Sequence, residues 1–163
     1  MKTILVPLDL SAAAVQVCNA ACDLARQVGG RLVLLHVVQP PPVVMSEVYA
    51  FDAGQLTEMA SAAQKAAAQS LRALDRHCAK RQVGATTMLR TGAPVAAILA
   101  KATSSRAAYI VMGSHGHSAI YDLLVGSTTH GVLMKAPCPV VVVPPASRRS
   151  RTPRGRSPRR SPA

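Results

Sequence analysis

The sequence predicts a single α/β domain built on a five-stranded, parallel, doubly wound sheet. Three observations point there. Short β-branched runs alternate with longer segments of helical period through residues 1–146. The runs are continuously apolar instead of strictly alternating, as expected for strands covered on both faces. A glycine-rich segment directly follows the fourth run, and open α/β sheets gather ligands at the carboxyl ends of their strands.

The elements follow in order. Lys2 to Leu8 (KTILVPL) is the first strand, ending at Asp9. Ser11 then offers a helix N-cap, and Ala12 to Val28 is a helix with Val15, Cys18, Cys22 and Ala25 at helical spacing, stopped by Gly29-Gly30. Arg31 to Val38 (RLVLLHVV) repeats the buried-strand pattern and ends before Pro40-Pro41-Pro42, because proline donates no ladder bond. Residues 39–54 form a long connection. Gln55 to about Gln82 is a long amphipathic helix whose apolar face reads Leu56, Met59, Ala63, Ala67, Leu71, Leu74 and Cys78. Ala85 to Arg90 is a third strand. Gly92-Ala93-Pro94 opens a helix to about Ala102, with proline at the first turn, where its missing N–H costs nothing. Ala107 to Met112 is the fourth strand; a loop and a helix to about Lys135 lead to the fifth, Cys138 to Val143. Strand and helix alternate throughout, which predicts right-handed crossovers and a parallel sheet.

Composition bounds the function classes. Apolar residues make up 49% of the chain but aromatic ones only 2%, so stacking on aromatic platforms is not the expected way to hold bases. The net charge of +12 is lopsided, since residues 147–163 hold seven arginines and no acid. Those residues, Arg148, Arg149, Arg151, Arg154, Arg156, Arg159 and Arg160 among Ser and Pro, read as a disordered tail beyond the 1–146 domain. Such a tail suits an electrostatic tether to nucleic acid or an acidic partner, or else a solvated extension. No apolar run approaches the roughly 20 residues that cross a bilayer. Lys2 leads straight into a strand with no secretory leader, and four cysteines without zinc-type pairing fit a reducing cytoplasm.

The segment Gly113 to Ser127 (GSHGHSAIYDLLVGS) carries the most chemistry. Glycine lets an anion approach backbone N–H groups that a Cβ would shield, or allows the positive φ that aims several amides at one point. Gly126 and Ser127 precede a helix, so a phosphate would meet its positive end and the Ser127 hydroxyl. The alternative is an ordinary turn, which a lone G-x-x-G would leave standing.

The pattern of glycine, two residues, glycine, nine residues, then Gly126-Ser127 resembles the ATP-binding signature of the universal stress protein family. Ile4 to Asp9 with Ser11, Leu34 to Val38, Val111 to Gly116 and Pro137 to Val141 are similar to family landmarks in the same order, over residues 1 to about 145. The resemblance implies an adenine nucleotide alpha hydrolase-like sheet of order 3-2-1-4-5. It implies ATP as ligand, with Mg2+ on the phosphates, and a role as a nucleotide-responsive regulator of the stress response. Carried over residue by residue, it places Asp9 near the ribose and the Val37 backbone near adenine, with Gly113, Gly116, Gly126 and Ser127 on ribose and phosphates. Pro7, Leu8, Met112, Ser114, His117 and Thr128 complete the implied site. Family members often pair two fifth strands, and a valine-rich edge needs cover, so a homodimer through Cys138 to Val143 is expected.

Other residues are assigned less. Asp9 could instead be an Asx turn at the strand end. His36 reads as structural, and His115, His117 and His130 lack the carboxylate or thiolate partners of a zinc site. Cys18 and Cys22 read as core packing. No G-x-x-x-x-G-K-[ST] segment supplies a phosphate-transfer lysine, so at most slow hydrolysis is expected. The rival function is a nucleotide-independent dimeric scaffold tethered through its basic tail.

Overall fold

The computed structural model describes residues 1–39, 53–114 and 125–145. The expected tail, the Pro40 connection and residues 115–124 lie outside them. The elements are β1 (Lys2–Pro7), α1 (Ala14–Val28), β2 (Gly30–Val38), α2 (Ala53–Lys80), β3 (Ala85–Thr91), α3 (Pro94–Ser104), β4 (Tyr109–Gly113), α4 (Ser127–Leu133) and β5 (Val140–Val143). They form one sheet of order β3-β2-β1-β4-β5 in which every pairing is parallel.

Each central strand buries both faces, which is why its sequence is apolar at every position. Ile4 and Val6 of β1, with Leu32 and Leu34 of β2 and Val111 of β4, pack under α1 and α2. Leu5, Val33, Leu35, Ile110 and Met112 point the other way, against Ile98 and Ala102 of α3 and Val132 of α4. Each such side chain contributes about 1.5–3 kcal/mol on leaving water, and the two layers hold the sheet between them.

Several boundaries differ from the sequence reading, each for a local reason. Ser11 stands two residues outside the N-cap of α1, and its Oγ accepts the Ala13 N–H at 3.3 Å at the helix entry. The helix starts at Ala14 with Ala13 at the N-cap and no side-chain cap bond. Leu10 takes φ +60, and Asp9 Oδ1 accepts the Ser11 N–H at 3.1 Å, so the chain turns before the helix can begin. Val15 is 44% exposed, because the buried stripe of α1 runs through Ala14, Val17, Cys18, Ala21, Cys22 and Ala25. Strand β4 starts later than Ala107, whose N–H is still occupied closing α3 on Ala102 O. Strand β5 starts after Pro139, which has no N–H to give.

Among its described side chains, the long helix α2 buries its apolar face only over its second half. Ala67, Leu71, Leu74 and Cys78 are buried, whereas Met59 is 62% exposed and Ala63 is also exposed. The thiols of Cys18, Cys22 and Cys78 meet between α1 and α2 with no solvent exposure. Burial and the neighbouring Cys78 push Cys22 up to about 12, so it stays a protonated, unreactive thiol at neutral pH.

Candidate functional site

A parallel sheet reverses its winding direction once, and here it does so at β1. The chain runs outward through β2 and β3, then returns to the other side of β1 with β4. Beyond the pairs Ile4 with Tyr109 and Leu5 with Ile110, β1 and β4 are no longer in register. Pro7 contributes to this separation. Ala108 N–H donates to Thr3 O, so odd residues of β1 face β4, and at position 7 proline has no N–H to extend the ladder.

The gap opens into a crevice of about 640 Å³ at the carboxyl ends of β1, β2 and β4. That volume lies within the roughly 300–1,000 Å³ of ordinary small-molecule sites, so an adenine nucleotide fits its scale. Pro7, Leu8, Asp9, Val37, Met112, Gly113, Gly126, Ser127 and Thr128 all border it. Sequence reasoning named all nine. Ser114 is buried, and its backbone is committed on both sides: its N–H donates to Val143 O at 2.9 Å and its carbonyl accepts Gly126 N–H at 2.8 Å. It joins β4, β5 and the start of α4 but does not border the crevice. Gly116 and His117 lie outside the described residues.

The structure revises the reason for glycine at Gly126. Its φ of −54 and ψ of 150 are open to any residue, so only close approach of a ligand would require the missing Cβ there. Helix α4 is also shorter than expected, seven residues, which is too little aligned backbone to make its dipole a main anchor. What remains for an anion is local: the peptide N–H groups of Ser127 and Thr128 and their two hydroxyls, since Gly126 N–H is already given to Ser114 O.

Sequence reasoning passed over Thr129 and read His36 as structural only, yet both shape the crevice. Thr129, 4% exposed, donates its hydroxyl to Gly113 O at 2.9 Å and so ties the first turn of α4 to the end of β4. His36 borders the crevice, and its Nδ1–H donates to Leu8 O at 2.7 Å. Neither stands out by spacing, because both depend on chain ends brought together by the fold. Asp9 is the sole acid among the described lining residues, and no lysine or arginine is among them.

These features define a doubly wound α/β domain whose ligand crevice lies at the reversal of strand order. The chain belongs to the universal stress protein family: the model of that family matches residues 1–144. It is 32% identical over 142 residues to the universal stress protein encoded in the QAH/OAS sulfhydrylase 3' region of Thermus aquaticus, covering 87% of this chain and 98% of that one. The solved structure of universal stress protein UspA from Lactobacillus plantarum superposes with a TM-score of 0.75 at 28% identity, covering 87% and 97% of the two chains. A universal stress protein from Archaeoglobus fulgidus, solved in complex with dAMP, shares the fold at a TM-score of 0.61 and 21% identity, over 87% and 97%. Among the described residues, no helix is long and apolar enough to cross a membrane.

Proposed function

We propose that this chain binds ATP in the crevice and acts in the cytoplasm as a nucleotide-responsive regulator of the stress response. One observation carries the reading: the crevice at the strand reversal is bordered by Asp9, Val37, Gly113 and Gly126 to Thr128 together, although they are far apart in sequence. Gly113, Gly116, Gly126 and Ser127 keep the spacing of the family's ATP-binding subgroup. The dAMP complex of the Archaeoglobus relative agrees in ligand class, and at its identity it speaks for the fold alone.

The charge pattern supports Mg2+ on the phosphates. A triphosphate would enter a crevice whose described wall holds one acid, Asp9, and no lysine or arginine, and residues 40–52 and 115–124 contain no lysine or arginine either. A divalent cation would supply the missing positive charge, while the chain contributes peptide N–H groups and hydroxyls. The residues bind and orient. Among the described residues none is placed as a base or a phosphate-transfer lysine, and the proposed activity is binding. Isothermal calorimetry is expected to give one site per chain for MgATP and clearly weaker binding for ATP without the metal. No heat with either would overturn the reading.

A homodimer through the outer edge of β5 belongs to the same proposal. That strand pairs only with β4 among the described strands, and Val141 is 39% exposed on it. Light scattering at micromolar concentration is expected to return twice the chain mass, and a monomer would remove the dimer.

A further inference from the structure

Strand β2 outlasts β1. Toward β3 its ladder continues until Gly92 N–H donates to Val38 O at 3.0 Å. Toward β1 the last rung is Leu8 N–H to Leu35 O at 2.8 Å. Residues two apart on a strand present their peptide groups to the same neighbour, so the next rung would run from Val37 N–H to Leu8 O. That rung is not made. Leu8 O accepts Nδ1–H of His36 instead, and because a carbonyl oxygen can only accept, Nδ1 must carry the proton. Val37 itself is half-buried at the crevice wall.

We infer that His36 is a positioning residue: by occupying Leu8 O, its imidazole keeps the Val37 N–H open to the crevice as a donor for an acceptor on the nucleobase edge. The inference rests on the adenine-nucleotide reading above for the identity of that acceptor. The rest is local geometry. The chain leaves the sheet directly after Leu8 through the Asp9 turn and the positive φ of Leu10, which leaves Leu8 O, one residue past the end of β1, within reach of one donor or the other. A backbone donor at a crevice wall needs a partner, and a ligand supplies it.

Amide hydrogen exchange on the full chain without nucleotide tests this. In the wild type the Val37 amide is expected to exchange fast and to become protected when MgATP is added. In His36→Leu the histidine donor is gone, so Val37 N–H closes on Leu8 O. Its exchange should slow roughly tenfold or more without ligand, and MgATP should bind roughly tenfold more weakly. His36→Asn, whose Nδ2 sits at the same bond distance from the backbone as the histidine Nδ1, should restore both to within roughly threefold. If His36→Leu does not fold, His36→Ala carries the same comparison. A Val37 amide already protected in the wild type, or unchanged by loss of the donor, overturns the inference. A wild type that binds no adenine nucleotide overturns the reading of the crevice and the nucleobase part of the inference, while the exchange rates still decide whether His36 holds Val37 open.

Discussion

Gly126→Val is expected to weaken MgATP binding by roughly a hundredfold while leaving the fold in place. The backbone there has φ −54 and ψ 150, which valine adopts without strain, and its N–H bond to Ser114 O at 2.8 Å needs no particular side chain. The added carbons would stand at a crevice wall shared with Gly113, Ser127 and Thr128, where a phosphate would have to meet peptide N–H groups directly. Calorimetry and thermal unfolding on the same preparation separate the two effects. Undiminished binding would show that Gly126 is an ordinary turn residue and that the ligand, if any, lies elsewhere.

The second large effect concerns stability. Leu71→Ala is expected to cost about 2–5 kcal/mol, because the side chain is 2% exposed within the layer beneath α1 and α2. Met59→Ala, on the same helix and the same expected apolar face, should change stability by less than about 0.5 kcal/mol. Its side chain is 62% exposed. Denaturant unfolding measures both. Equal costs would mean that the first half of α2 is covered in solution, by another chain or by a segment outside the described residues.

That contrast shows where sequence reasoning stops. The periodicity of α2 is continuous from Leu56 to Cys78, so it predicts one buried face along the whole helix. Burial depends on what lies opposite, and the sheet lies beneath only the later turns. Val15 fails for a related reason. It shares a helical spacing with Cys18 and Cys22, yet α1 is rotated so that Ala14 and Val17 face the sheet.

The site divides in the same way. The glycine spacing, Asp9 at the end of β1 and the strand after which each occurs were legible because local chain chemistry sets them. The place of Thr129 and His36 at the crevice was not, since the first closes on Gly113 O and the second on Leu8 O, across 16 and 28 residues of chain.

The sequence by itself determined the element types, the parallel sheet and the candidate nucleotide positions, because apolar continuity, helical period and glycine placement act within a few neighbouring residues. Only the tertiary structure decided which half of α2 is buried, where β1 and β4 part, and which group holds Leu8 O. Those outcomes depend on competition between distant partners for the same surface or the same carbonyl oxygen, and the order of residues along a chain does not state who wins.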